Sequence, residues 1–421
     1  LHKCKIVSGQ TLKKTRLYMN KWQHSFFSIF FLLFTYYVNS QPSYKKEVLE
    51  DMIRFNREMK SDRLIVSIKD TIITDVTFRG KPNDKFLIYS ITKIFSGIAI
   101  GVLIDKKLIE NPEVSVATFF EEWKNDTLKN KITIRHILQH TSGLSSTNGS
   151  QEIYPETDFV QFALESSIMT EPGQTFFYNN KAINLISGIV KKVTGQSLEL
   201  FIKENVFIPL EINNYKWQTD KKGNTWAMDG LWLTANDLMK VGQMLCNFGE
   251  WNSKRILSES WCKMMFQIPL VNAMNGKYGY AMAIRSLPIQ EKISITRKTI
   301  DTLNQLGLKT ELVQKLQMLH KKDHYKYLEL GLTLNQLFTT REMEEISSFA
   351  SRQMIPLYTV QNGNFYIKHG GEYGLLITAF PKQKKVVVRY LGEKWGRKKK
   401  DDGTDNKYLI DDEIVNYMIG L

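Results

Sequence analysis

The sequence predicts an α+β fold, in which an antiparallel sheet built from both chain ends is flanked by helices and interrupted by a mainly helical inserted region. Three observations carry that expectation. β-Branched residues crowd Leu64 to Phe78, apolar β-rich runs return only from Phe365 to Tyr390, and much of the sequence between has helical spacing. Strands at both ends with helices between them close most simply into one sheet with helices packed on it.

The chain is long enough to bury a large core: it has 421 residues, 43% hydrophobic and 24% charged, which excludes a disordered polymer or a disulfide mini-protein. The net charge of +14 is spread thinly, and no basic stretch interleaves with aromatics as a nucleic-acid groove requires. The run Arg397 to Lys400 meets Asp401 and Asp402 at once and reads as a solvated loop. Cys4, Cys246 and Cys262 have no metal or redox spacing, and the last two read as buried thiols.

Residues 1–40 read as an extension carrying a signal peptide. Lys13, Lys14, Arg16 and Lys21 precede the apolar run Phe26 to Val38, and Val38-Asn39-Ser40 supplies a cleavage site before Gln41. A membrane span needs about 20 apolar residues, and this run is shorter and holds Ser28 and Thr35. A cleaved leader and export to the periplasm or the outside are therefore expected, with a retained anchor as the alternative and the only membrane link. Residues 41–421 read as one domain. The stretch Leu64 to Phe78 reads as a hairpin, Phe365 to Ile367, Gly374 to Phe380 and Val386 to Tyr390 as strands, and Asp411 to Leu421 as an amphipathic terminal helix.

The most informative helix runs from Tyr89 to Ile104 and is apolar on nearly every side, so it belongs in the core. Within it Ser90 and Lys93 stand three residues apart and share a face. Burial lowers a lysine pKa from its usual value of about 10.4, so the amine can take a proton from a neighbouring hydroxyl and make it a nucleophile. The same spacing occurs at Ser43/Lys46 and Ser260/Lys263; the apolar helix singles out Ser90.

Two further clusters bear chemistry. Tyr178, in Pro172 to Asn180, stands at a turn before the helical pattern Ile183 to Val193, where Lys93 nearby would hold its phenol partly ionised as a general base. Asn180 offers an amide to a substrate carbonyl. The second cluster, Lys368-His369-Gly370-Gly371, lies between predicted strands, where glycines admit a ligand close to the backbone and a strand N–H can join that of Ser90 as an oxyanion hole. His136 and His140 have a zinc-compatible spacing, but no glutamate stands between them and no third ligand is evident, so a short helix placing His140 against the Thr141-Ser142-Gly143 turn is the reading.

The ordered set Ser90-x-x-Lys93, Tyr178-x-Asn180 and Lys368-His369-Gly370-Gly371 resembles the three active-site motifs of the serine β-lactamase and penicillin-binding-protein superfamily, in particular its class C β-lactamase, DD-peptidase and esterase branch. Connecting stretches agree, among them His136 to Leu144, Asp229 to Leu238 and Tyr278-Gly279-Tyr280. The resemblance runs from about Asp62 to Tyr390 except for a helical insertion at about 287–358, which would cover the site or meet a partner. It implies a serine hydrolase that forms an acyl-enzyme on Ser90, with Lys93 and Tyr178 moving the proton and Asn180, Lys368, His369, Gly370 and Gly371 holding substrate, and with neither metal nor cofactor. The third motif has two registers. Lys368 facing the site favours carboxylate-bearing D-alanyl peptides or β-lactams; His369 facing it, the preferred register, favours esters or small amides. A non-catalytic binder that keeps the fold is the competing class.

Overall fold

Hydrophobic alternation at the two chain ends builds a single sheet. The computed structural model describes residues 44–147, 150–275, 279–289, 292–320, 322–360, 363–391 and 407–421. The leader, Cys4, Tyr278 and the run Arg397 to Asp402 lie outside them. Helix α1 (Lys46–Glu58) leads into the hairpin β1 (Arg63–Ile68) and β2 (Thr71–Thr77); α2 (Lys93–Asp105), the short α3 (Ile134–Leu138) and α4 (Ala235–Cys246) follow. After β3 (Arg285–Pro288) come α5 (Arg297–Gln305), α6 (Thr310–His320), α7 (Tyr327–Leu337) and α8 (Thr340–Arg352). The strands β4 (Phe365–Gly370), β5 (Leu376–Phe380) and β6 (Lys385–Tyr390) and the helix α9 (Lys407–Gly420) complete the order.

The strands form one antiparallel sheet ordered β2-β1-β6-β5-β4-β3. The two chain ends meet at its centre, where Ile65 lies opposite Val388. Because successive side chains on a strand point to opposite faces, the four inner strands β1, β6, β5 and β4 feed two cores. Leu64, Val66, Tyr366, Leu376 and Val387 pack with Leu49 and Met52 of α1 and Ile414, Val415 and Met418 of α9. Ile65, Ile367, Ile377, Val386 and Val388 face the larger core built by α2 and α4. That second face carries the chemistry. In α2 every residue from Lys93 to Leu103 is buried, as the apolar sequence required. Cys246 and Cys262 are both buried free thiols.

The inserted region differs from expectation in three respects. Leu287 and Pro288 still belong to the sheet, opposite Tyr366 and Phe365 in β4, so the excursion begins after them. Among the described residues it contains four helices, α5 to α8, of which α5 and α8 have short apolar stripes set among many polar residues, a weak pattern to read in sequence. Its own core includes Ile300, Leu316, Leu330, Met343 and Ile346 together with Leu270, Ala273 and Met274 from the segment before β3. Gly331 makes this packing possible, since a Cβ there would stand 2.4 Å from the Ala273 carbonyl oxygen. The bridges Ser294 to Thr359 and Ile293 to Val360 pin its two ends together. Third, it packs on α3, with Glu344 of α8 bonded to Arg135.

Candidate active site

Ser90 lies in a 3₁₀ turn, Tyr89–Thr92, that runs directly into α2. The residue before it, Tyr89, has a positive φ of 47°, an uncommon conformation for a side chain of this size and of the kind found where a fold holds a reactive group in place. Lys93 opens α2 with 1% of its surface exposed, and its Nζ donates to Ser90 Oγ at 3.0 Å and to the Met228 carbonyl at 2.8 Å. Burial pulls its pKa down to about 7, against the opposing pull of Asp229. A neutral amine is thus present near neutral pH one hydrogen bond from the hydroxyl. Of the two look-alike pairs, Ser43 lies outside the described residues, and the other has a different setting: Lys263, half exposed, bonds Glu259 at 2.7 Å, and Ser260 bonds Ser258.

Tyr178 is hydrogen-bonded to Ser90, yet its phenol is not held ionised. Burial, reinforced by Asp229, pushes it up to about 12 although the Ser90 hydroxyl favours the phenolate. The amine of Lys93 stands 5.1 Å from the centre of the Tyr178 ring. The expectation of a partly ionised tyrosine is therefore overturned; Lys93 is the group that titrates near neutrality, and Tyr178 is a protonated neighbour able to relay. Asn180 begins the short helix Asn180–Ile183, capped by the Asn179 side chain accepting from the Ala182 N–H. Its Nδ2 donates to Ser150 Oγ at 2.9 Å, and its buried Oδ1 has no partner among the described residues.

The pleat of β4 separates the two registers of the third motif. His369 shares the face of Ile367 and lies close enough to His140 to help lower that residue's pKa. Lys368 points its Nζ to Asp412 of α9 at 3.1 Å, on the face of the terminal helices, although it touches the cavity edge. Gly371 abuts the Ser90 turn, where a Cβ would meet the Ile88 carbonyl oxygen at 2.8 Å. Its N–H donates to the Leu375 carbonyl at 2.8 Å, so this strand N–H is committed to the turn.

These residues converge on a cavity of about 530 Å³ whose wall includes Ser90, Tyr178, Asn180, His369 and Gly370. The same wall includes Asp229, Tyr154 and Glu372, for which no role was expected, and His140, expected only to pack against the Thr141-Ser142-Gly143 turn. Tyr154 Oη donates to Asp229 Oδ2 at 2.6 Å. His140, with a positive φ of 59°, accepts the Asn179 N–H on Nδ1, and burial with Lys93 and His369 nearby drops it to about 3, so it is neutral. Asp229 stood inside a stretch quoted for its likeness, and Tyr154 sits in a loop with no periodicity; neither position had a signal of its own.

Among the described residues, none of the wall comes from the inserted helices. The insertion docks instead on α3, which ends two residues before His140. Arg135 is 2% exposed and bonds Glu113, Gln139 and, from α8, Glu344. Glu113 and Glu344 hold the guanidinium charged, and in return Arg135 and His136 bring Glu344 down to about 2. His136 accepts the Thr133 N–H on Nδ1 and meets Glu344 with Nε2 at 2.8 Å. The two histidines at zinc-compatible spacing thus serve different places: His136 the insertion, His140 the cavity.

The sequence model of the family described as Beta-lactamase matches residues 64–403. Penicillin-binding protein 4* of Bacillus subtilis strain 168 is 30% identical over 142 residues, covering 32% of this chain and 30% of that protein. The match thus spans under a third of that relative's length. Among solved structures, a putative 6-aminohexanoate-dimer hydrolase from Bacillus anthracis superposes with a TM-score of 0.58 at 17% identity, covering 87% of this chain and 81% of that one. EstCE1, a hydrolase with promiscuous acyltransferase activity, gives 0.57 at 14% identity, covering 89% and 97%. At these identities the superpositions establish the fold.

Proposed function

The chain belongs to the Beta-lactamase family, and from that premise we propose that it is a serine hydrolase cleaving an ester or amide through an acyl-enzyme on Ser90. The observation that carries the reading is the 3.0 Å contact between Ser90 Oγ and a fully buried Lys93 amine. As Oγ attacks the substrate carbonyl, neutral Lys93 takes the hydroxyl proton, and the resulting oxyanion is met by the Ser90 backbone N–H. The tetrahedral adduct collapses as Tyr178 gives its proton to the leaving oxygen or nitrogen and recovers one from Lys93. Water then attacks the acyl-enzyme, returns its proton along the same route, and releases the acid and free Ser90. His369 and Asn180 position the acyl group.

The preference for esters or small amides rests on the third motif. Lys368 is engaged by Asp412, so the site face of β4 presents an imidazole where a carboxylate-binding ammonium would stand. Rates for a chromogenic short-chain ester and a chromogenic cephalosporin, measured on Lys368→Ala and His369→Ala, test it. His369→Ala should slow both substrates; a large cephalosporin loss confined to Lys368→Ala would contradict this register.

The class itself is tested by intact mass after exposure to a fluorophosphonate. One adduct, absent in Ser90→Ala, supports the hydrolase, whereas no adduct under any condition favours a binding protein that keeps the fold. We also propose that the protein acts after export; a mature amino terminus near Gln41 on secreted protein would support this, and retention of Phe26 to Val38 would oppose it.

A further inference from the structure

We propose that the inserted helices act on the reaction through Glu344, a positioning residue that fixes the segment carrying Tyr178; this rests on the acyl-enzyme reading above, in which Tyr178 protonates the leaving group. Tyr178 stands on two supports. The first is the end of α3. The Thr141 N–H donates to the His136 carbonyl at 2.9 Å, so α3 runs directly into the turn at His140. His140 then holds the tyrosine from both sides: its carbonyl accepts the Phe177 N–H at 2.8 Å and its Nδ1 the Asn179 N–H at 3.2 Å. Its ring also leans on the Tyr178 ring, with centres 4.4 Å apart. The second support is the start of the loop, where the Gly173 N–H donates to the Thr141 carbonyl at 2.8 Å.

Glu344 touches both supports. Its Oε1 meets His136 Nε2 at 2.8 Å and Arg135, which fixes α3. Its carboxyl also lies against the bare backbone of Gly173, where a Cβ would stand 2.4 Å from Glu344 Cδ. Two neighbours add to the hold on the loop. Thr340, one turn earlier on α8, donates to Gln174 Oε1 at 3.4 Å, and Asn275 donates to the Gln174 carbonyl at 3.0 Å. Asn275 follows Ala273 and Met274, which belong to the core of the insertion. The bonds to Arg135 alone would fasten the insertion to the body; the contacts with Gly173 and Gln174 couple it to the loop. The phenol has to reach both Ser90 and the leaving atom, and a misplacement of about 1 Å by a distant change costs on the order of 10²-fold.

The test compares kcat/KM for ethyl butyrate, whose alkoxide needs a proton to leave, with that for 4-nitrophenyl butyrate, whose phenolate departs without one. Tyr178→Phe sets the scale and should slow the ethyl ester at least about tenfold more than the nitrophenyl ester. Glu344→Ala, with a cooperative melt and fluorophosphonate labelling of Ser90, should shift the same ratio in the same direction by about fivefold or more. Tyr178→Phe combined with Glu344→Ala should hydrolyse the ethyl ester within about twofold of Tyr178→Phe alone, since residues that act as one unit are not additive. If Glu344→Ala does not fold, Asn275→Ala combined with Thr340→Val, which leaves the buried ions intact, takes its place with the same two readouts and a shift of about threefold. Equal losses on the two esters, no loss on either, or losses that multiply in the combined variant would overturn the positioning role and leave the hydrolase reading standing, provided Tyr178→Phe shows its ester preference. No such preference in Tyr178→Phe would overturn the role of the tyrosine and of Glu344 together. Failure of Ser90 to label in the wild type would overturn the acyl-enzyme reading as well.

Discussion

Lys93 and Arg135 are both almost wholly buried basic side chains, and the fold treats them in opposite ways. Arg135 is met by Glu113 and Glu344, which compensate its lost hydration and keep it charged. Lys93 has a hydroxyl and a carbonyl for hydrogen-bond partners, and its amine falls to about 7. A buried charge with carboxylates in contact becomes a fastener; a buried amine without them becomes a base. The first ties the insertion to α3, and the second stands against Ser90.

Four substitutions would break or sharpen this contrast. The largest effect is expected from Lys93→Met, which should cut ester turnover by about 10⁴-fold, since groups that act as one unit fail together; steady-state rates beside Ser90→Ala check it. The same variant should gain stability. A folded pKa near 7 against an unfolded value of about 10.4 means that the penalty for burying the ammonium grows as pH falls from about 10 to 7, reaching roughly 4–5 kcal/mol below that. Urea unfolding at pH 6 should therefore find Lys93→Met more stable than wild type, and at pH 10 much less so.

Arg135→Met should do the reverse. It leaves Glu113 and Glu344 buried without their cation and should cost about 3–5 kcal/mol, measured by urea unfolding at pH 7. Glu344→Gln isolates one arm of that cluster. The carboxylate contributes stability above its unfolded pKa of about 4.3 and loses it as pH falls toward its folded value of about 2. Acid unfolding between pH 4 and 2 should accordingly be shallower in Glu344→Gln than in wild type. The smallest effect is expected from Gly371→Ala, where the added methyl must displace the Ile88 carbonyl; a loss of about 1–3 kcal/mol should accompany slower acylation of Ser90.

What could be read in the sequence divides along the same line. The sheet from both chain ends, the hairpin, the terminal helix and the apolar α2 were legible because strand alternation and continuous apolar runs are local patterns. The family resemblance was legible because three short motifs occur in order. The pairing of β3 with β4 was not, since two strands 80 residues apart in sequence carry no mark of each other, and the insertion limits shifted with it. Tyr178 was read with the wrong charge because spacing shows that a lysine is near but not that burial outweighs it. Asp229, Tyr154 and the Arg135 cluster depend on contacts between distant segments, Glu344 reaching Arg135 across 209 residues.

The central claim is that desolvated Lys93 takes the proton from Ser90. It is tested most directly by the rate constant for fluorophosphonate acylation of Ser90 between pH 5 and 9, in wild type and in Lys93→Met. The wild-type rate should rise through an apparent pKa of about 7 and level off above it, and the variant should be slow with no such inflection. A wild-type rate independent of pH across that range, or a variant that acylates as fast as wild type, would contradict the claim.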